Sequence, residues 1–435
     1  MKKNGSPEKK TTENPRAMAL EVLDRVECAS QYSNLALDTA LRRTSMGAED
    51  RALFTTLVYG VIERKLTLDA CIAAHSSRAP ESLEEHVRTL LRMGLYQLLY
   101  LDRIPDHAAV NETVSLAPKR AGGYVNAVLR SFIRSGKQIP IPDPATDPVG
   151  ALSVRYSVGV PLCERFLQAF GAEKTELILA AFQRPAFPVL RVNSLRTDRD
   201  TVLRHLADAD LPAEKCPESR MGIRLLRPVP VTSLPGFAEG DFFVQDEASQ
   251  LCVAALDAGA GMTVLDLCAC PGSKSFGAAM DMGNQGRVIS CDLHANKLSL
   301  VRSGADRLGI RILETEARDA REENPAWRES ADRVLCDVPC SGFGVLAKKP
   351  ELRYKDPAGS CGLPQIQRDI LHTAASYVRR GGKLVYSTCT LLPEENEQNV
   401  EAFLKTDPSF SLTEMRTFLP EEGTDGFFYA VLQKK

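Results

Sequence analysis

The apolar positions divide the chain into stretches of different period. From residue 14 to residue 137 they recur at intervals of three and four: Ala19, Val22, Leu23 and Val26, then Leu53, Leu57, Val58 and Val61, then Leu90, Leu91, Leu95 and Leu98. Such spacing lines one face of a helix each time and predicts an all-helical domain over 14–137. Residues 1–13 are Lys, Glu, Thr, Ser and Gly with almost nothing apolar, which predicts a disordered tail. Residues 138–150, QIPIPDPATDPVG, hold four prolines in thirteen positions. A helix cannot continue through them, so they predict a linker and a domain boundary.

Over 151–240 helical stretches (Leu162 to Phe170, Thr175 to Phe182, Thr201 to Ala209) alternate with short strand-like runs, Val189 to Val192 and Ile223 to Leu226. This reads as a small α+β module, RRM-like in its make-up. Over 241–435 apolar runs of five residues, TVLDL, RVISC, IRILE, DRVLC and KLVYS, alternate with amphipathic helices. Strand and helix repeated in this way predict an α/β doubly wound sheet, mostly parallel and Rossmann-like, with ligands at the carboxyl ends of the strands. The helix after Asp292 shows its buried face clearly, with Leu298, Val301, Ala305 and Leu308 in register and Gly309 as the stop.

Composition narrows the picture. With 435 residues, 44% hydrophobic and 25% charged, the chain is multidomain and globular, and disordered, collagen-like and coiled-coil classes are excluded. No run of 18 apolar residues occurs, and the start, MKKNGSPEKKTTENPR, lacks the apolar stretch of a signal peptide. The expectation is a cytoplasmic protein without a membrane partner. A net charge of −2 excludes a uniformly basic protein, but residues 1–140 hold 20 Lys and Arg against 16 Asp and Glu. Any polyanion contact therefore rests on local patches.

Twelve cysteines, eight of them between 250 and 390, are the odd entry in the composition. No C-x-x-C pair occurs and no His completes a tetrahedral set, so no metal is expected. In an unexported chain the thiols stay reduced, which leaves packing or catalysis. Cys28, Cys71, Cys163, Cys216, Cys252, Cys291 and Cys336 default to packing, as does the lone tryptophan, Trp327, as an anchor of a satellite core.

Three segments carry chemistry. LDLCACPGSKS, Leu265 to Ser275, runs from a strand through Pro271 and Gly272 into a helix, the arrangement that brings backbone N–H groups up to a cofactor. It is neither G-x-G-x-x-G nor a phosphate-binding P-loop. Asp292 closes the next strand, where it can accept ribose hydroxyls or cap the following helix. Asp319 follows the third strand, within reach of an adenine or as a plain turn residue. DRVLCDVPCSGFGV puts Asp337 and Cys340 at the carboxyl end of the fourth strand, and KLVYSTCTLLPEEN puts Cys389 at the end of the fifth.

Two thiols facing one cleft fit the problem of methylating carbon 5 of a pyrimidine. That carbon becomes nucleophilic only after a thiolate adds to carbon 6, and a second group then helps the adduct collapse. An acid such as Asp337 near ring N3 stabilises the adduct if burial raises its pKa. Spacing alone does not say which cysteine attacks. Lys348, Lys349, Arg353 and Lys355, beside Tyr354, follow the Cys340 segment and are either phosphate contacts or a solvated loop.

Together LDLCACPGSKS, DVPCSGFGV and YSTCTLLPEEN, with FVQDEASQL (243–251), resemble the RNA cytosine-5 methyltransferase family of the class I S-adenosylmethionine fold. DRALFTTLVYGVIER, RIPDHAAVNETV and YVNAVLRSFIR resemble the NusB-like helical domain of its branch that acts on small-subunit rRNA. The match runs from about residue 14 to the C-terminal TDGFFYAVL. The resemblance implies S-adenosylmethionine as methyl donor and 16S rRNA as substrate, with a flipped or single-stranded cytosine and a monomeric enzyme. It implies Cys389 as nucleophile, Cys340 as the thiol that assists release, and Asp337 as a base-side and cofactor-side acid. The donor loop falls on Cys268, Ala269, Cys270, Pro271, Gly272, Ser273 and Lys274, ribose binding on Asp292 and an adenine contact on Asp319. The family usually has Ala where Cys270 stands and Gly where Ser273 stands, so Ser273 must adopt backbone angles that need no glycine. A tRNA cytosine-5 methyltransferase and a non-catalytic RNA-binding assembly factor are the rival readings; the helical domain argues against the first and the paired thiols against the second.

Overall fold

The computed structural model describes residues 14–29 and 33–435; the expected tail over 1–13 and the side chain of Cys28 lie outside the described residues. The chain forms two compact units, one of residues up to 164 with 349–355, the other of 165–348 with 356–435.

The first unit is helical, as the period predicts. Its helices are Pro15–Ala29, Ser33–Arg43, Ala48–Glu63, Lys65–His75, Glu85–Tyr100, Asp106–Ser115, Gly122–Arg134 and Pro148–Tyr156. Ala19, Leu57, Val58, Leu90, Leu91 and Leu95 all lie in one buried core. Arg92 is buried there too, and a two-pronged bond from its guanidinium to Asp69, 2.7 Å on each side, offsets the cost of removing the charge from water. The proline-rich segment is irregular up to Asp147, yet the unit does not end there. Asp147 accepts from Gly150 N at 2.8 Å and starts the helix Pro148–Tyr156. That helix is sewn to Lys65–His75: Thr67 Oγ1 donates to Val154 O at 2.6 Å, and Leu66 N donates to Ser157 Oγ at 3.0 Å.

The second unit contains two sheets. The smaller has strands β1 (Val189–Val192), β2 (Ala213–Lys215), β3 (Gly222–Leu225) and β4 (Phe242–Val244), antiparallel in the order β2-β3-β1-β4. Thus the first strand after residue 241 completes the small module instead of opening the larger sheet. Successive side chains on a strand point to opposite faces, so Phe242 fills the core of the small module while Phe243 packs beneath the larger sheet.

The larger sheet has strands β5 (Thr263–Asp266), β6 (Arg287–Asp292), β7 (Leu313–Ala317), β8 (Ala331–Asp337), β9 (Val378–Thr388), β10 (Phe410–Phe418) and β11 (Phe427–Lys434). Their order is β10-β11-β9-β8-β5-β6-β7, parallel from β9 through β7, with β11 antiparallel to both its neighbours. Each of the five apolar runs becomes a strand. The third starts later than IRILE indicates, because Ile310 N donates to Ala305 O at 2.9 Å and closes the helix Leu298–Leu308 behind Gly309, whose φ is 73°. The β10–β11 hairpin was not anticipated by the periodicity. In β11 the run Phe427 to Leu432 is buried throughout, as a strand covered on both faces requires.

Among the described residues no helix is long and apolar enough to cross a membrane.

Candidate active site

The donor-loop residues Cys268 to Lys274, with Asp292, Asp319, Asp337, Cys340 and Cys389, all lie at or just beyond the carboxyl ends of the parallel strands. The loop after β5 is shaped by backbone bonds, with Ala269 N donating to Cys291 O at 2.7 Å and Gly272 N to Ala269 O at 2.6 Å. Gly272 carries the strained angle, φ 111°, and a Cβ there would meet Phe276 Cζ at 2.5 Å. Ser273 is already the first residue of the helix Ser273–Asp281 and keeps a negative φ, so the substitution for glycine costs nothing in backbone shape. A cavity of about 410 Å³ opens beside this loop, lined by Cys268, Cys270, Asp292, Leu293, Asp319 and Asp337 among others. Asp292 Oδ1 accepts from His294 N at 2.9 Å, and the next helix begins only at Leu298, so the helix-capping role does not apply. Both oxygens of Asp319 are gripped by the guanidinium of Arg321, which holds the carboxyl below its usual range. Burial pushes the Cys270 thiol up to about 12, with the Asp292 carboxylate adding to it.

At the cavity stands an ion pair whose ammonium is buried. Lys274 Nζ donates to Asp337 Oδ2 at 2.6 Å and lies 5.1 Å from the centre of the Phe427 ring, while Ser387 Oγ donates to Asp337 Oδ1 at 2.8 Å. Burial works against the ammonium, but Asp337 overcomes it and holds Lys274 above the ordinary lysine range. Both oxygens of Asp337 thus accept hydrogen bonds, one from Lys274 and one from Ser387. One strand further into the sheet, Asp266 is fully buried, with Oδ2 accepting from Ser275 Oγ at 2.6 Å and Oδ1 unpartnered. Burial pushes it up to about 7.

The two thiols meet beyond β8 and β9. Asp337 and Ser387 are register partners on these strands, so Cys340 and Cys389 follow at equal height, and their Sγ atoms lie 3.2 Å apart. Cys389 N also points at Cys340 Sγ, at 3.4 Å. The contact with Cys389, then burial, holds the Cys340 thiol well above its usual range. The loops close tightly: Gly344 N donates to Cys389 O at 2.9 Å and Gly426 N to Gly344 O at 2.8 Å. A Cβ on Gly344 would stand 1.9 Å from Gly426 O, so only glycine fits. Ser341 Oγ and Thr390 Oγ1 bridge the two cysteine loops at 2.7 Å.

The basic segment expected to hold phosphates is largely spoken for. Lys348 Nζ is clasped by Asp246 at 2.8 Å and Asp425 at 2.7 Å. Arg353 is 1% exposed and its NH1 donates to Tyr156 O at 3.2 Å inside the helical unit, so it cannot reach a phosphate. Tyr354 is anchored beside it, donating to Ile62 O at 2.5 Å. Lys349 and Lys355 remain exposed. The packing cysteines Cys71, Cys163, Cys216, Cys252, Cys291 and Cys336 are buried. Trp327 packs edge-on against Tyr377, 5.6 Å between centroids, at the margin of the larger core.

Sequence reasoning missed Ser387, the Lys274–Asp337 pairing, and Glu395, which sits under the Cys340 loop. Only the EEN after Cys389 could have pointed to Glu395, and nothing local separates it from Glu394, which instead pairs with Arg165.

A mostly parallel seven-stranded sheet with its cavity and paired thiols at the carboxyl edge, preceded by an antiparallel module and a helical domain, defines a class I methyltransferase with two accessory domains. Residues 253–433 match the family described as 16S rRNA methyltransferase RsmB/F, residues 13–134 the NusB family, and residues 162–232 the ferredoxin-like domain of RsmF/B-like methyltransferases. The chain is 38% identical to the probable ribosomal RNA small subunit methyltransferase B of Bacillus subtilis (strain 168), over 97% of this chain and 98% of that one. It is 34% identical to the ribosomal RNA small subunit methyltransferase B of Yersinia pseudotuberculosis, over 98% and 100%. Among solved structures, that of PH0851 superposes with a TM-score of 0.80 at 26% identity, covering all of both chains. NSun6 from Pyrococcus horikoshii, solved with SFG, superposes with a TM-score of 0.57 at 21% identity over 62% of this chain and 97% of that one. The chain belongs to the RsmB/F family and is a small-subunit rRNA methyltransferase.

Proposed function

We propose that the protein methylates carbon 5 of a cytosine in 16S rRNA, through a covalent bond between Cys389 and carbon 6 of the base. The observation that carries this reading is the pair of Sγ atoms 3.2 Å apart at the ends of β8 and β9, beside the Lys274–Asp337 ion pair. S-adenosylmethionine, when bound, supplies the methyl group. The cavity suits it: Asp292 and Asp319 offer carboxylate acceptors for a ribose and a base amine, and Leu293 offers an apolar wall for the adenine. Cys268 to Lys274 form the loop it would face.

The chain's own residues divide the work. Cys389 attacks carbon 6 as the thiolate, which makes carbon 5 nucleophilic. Lys274, steered by Asp337, holds a proton at the edge of the base and stabilises charge as it develops on the ring. Once carbon 5 carries the methyl group, Cys340 takes the carbon 5 proton, the ring double bond reforms, and the bond from carbon 6 to Cys389 breaks. A base inside a stacked helix offers neither face to such an attack, so the target cytosine is unstacked or flipped. We place the reaction in the cytoplasm, with the chain acting as a monomer. Lys349 and Lys355, both exposed, are the members of the basic segment available to RNA phosphates.

The test is to incubate the protein with labelled S-adenosylmethionine and, separately, 16S rRNA and tRNA. Label enters 16S rRNA as 5-methylcytosine, and Cys389→Ala abolishes it, a loss of at least about four orders of magnitude. Cys340→Ala leaves an enzyme–RNA adduct that survives denaturation. Normal methylation by Cys389→Ala would overturn the nucleophile assignment, and label mainly in tRNA would overturn the substrate.

A further inference from the structure

Two thiols 3.2 Å apart cannot both be thiolates, so something has to make them unequal. Cys340 and Cys389 end equivalent strands, both are half-buried, and each is followed by a hydroxyl residue. One difference in their surroundings is a carboxyl group on the Cys340 side. Glu395 is 1% exposed, and its Oε2 accepts from Ser341 N at 3.0 Å and from Gln367 Nε2 at 2.8 Å. Gln367 Nε2 also donates to Pro339 O at 2.9 Å. The residues on either side of Cys340 are therefore both tied to one carboxyl group. Its second oxygen, Oε1, is buried and unpartnered.

A buried carboxylate is expensive to keep. If its task were only to accept from Ser341 N and Gln367, a glutamine would serve at lower cost. We propose that Glu395 is a positioning residue for Cys340: it sets the thiol's place from both sides, and its negative charge gives the two sulfurs their separate tasks, attack by Cys389 and proton removal by Cys340. This rests on the covalent reading above.

The charge bears on Cys340, adding to the effects of Cys389 and of burial that keep its proton on. Cys340 can thus donate S–H to the Cys389 thiolate before attack. When Cys389 becomes a thioether on carbon 6, its contribution disappears and Cys340 can release its proton to water. The Cys340 thiolate then takes the carbon 5 proton; the electrons of that C–H bond reform the ring double bond, and those of the C–S bond return to Cys389. The Glu395 charge makes that thiolate the stronger base.

The experiment follows adduct formation and adduct release separately across pH, in the full-length protein with 16S rRNA and S-adenosylmethionine. Glu395→Gln keeps an acceptor for Ser341 N but loses the charge. It should release product about tenfold more slowly on the alkaline plateau and shift the rise of the release rate to lower pH. Glu395→Asp keeps the charge on a shorter arm, so its release should slow while its pH profile stays with the parent's. A Glu395→Gln release profile that superposes on the parent's overturns the inference, as does an equal shift in Glu395→Asp. If Cys340→Ala yields no adduct at all, the covalent reading itself fails, and the inference with it.

Discussion

The cavity beside the β5 loop, proposed to hold the methyl donor, and the thiol cleft share one sheet edge but are built in opposite ways. Around the cavity the acids are held by their own turns: Asp292 by His294, two residues on, and Asp319 by Arg321, also two residues on. Around the thiols several restraints come from far along the chain. Asp337 is held by Lys274 and Ser387, Cys340 is bracketed through Gln367 and Glu395, and the Cys389 carbonyl is met by Gly344. Local turns can position a carboxylate for a ligand that is bound and released. Covalent chemistry needs reacting atoms held to a fraction of an ångström, and long-range bonds between rigid strands supply that.

Three substitutions probe this difference. The largest effect is expected on the thiol side. Asp337→Asn leaves the Lys274 ammonium buried without its counter-charge, so kcat should fall about a hundredfold or more with little change in the KM for the donor, measured by steady-state methylation. A rise in donor KM alone would mean that Asp337, which also lines the cavity, serves only the donor. Next is Asp292→Ala on the cavity side, which should raise the donor KM about tenfold, the worth of a hydrogen bond to a charged group, and spare kcat. An equal loss in kcat would erase the distinction between the two regions.

The smallest effect concerns Asp266, at the base of both regions. Between its ordinary value of 3.8 and about 7, the unfolded chain gives up a proton that the folded chain keeps. Stability therefore falls as pH rises through that window. Asp266→Asn removes the penalty and should raise Tm by a few degrees at pH 8 but not at pH 4, read by thermal melting. An identical Tm difference at both pH values would show that the carboxyl is not the cause.

The basic segment carries a related lesson. Lys348, Lys349, Arg353 and Lys355 look alike in sequence, yet the fold gives them different fates. Arg353 is enclosed in the helical unit, Lys348 is neutralised by Asp246 and Asp425, and the other two face solvent. The acids that neutralise Lys348 come from FVQDEASQL and TDGFFYAVL, about a hundred and about eighty residues away in sequence. Charge patterning shows where cations are and says nothing of what lies opposite them.

Much of this protein was legible from its residues alone. The three-and-four spacing determined the helical domain, the five apolar runs determined the parallel strands, and together they put Cys340, Cys389 and Asp337 on one edge. These are consequences of local periodicity, which a chain carries wherever it folds. Tertiary structure decided the rest: that the helical unit runs past its proline-rich segment, that β4 joins the smaller sheet, that Asp337 is paired with Lys274, and that Glu395 brackets Cys340. Each depends on which distant segments come within about 3 Å of each other, the range of a hydrogen bond. No spacing along the chain encodes that.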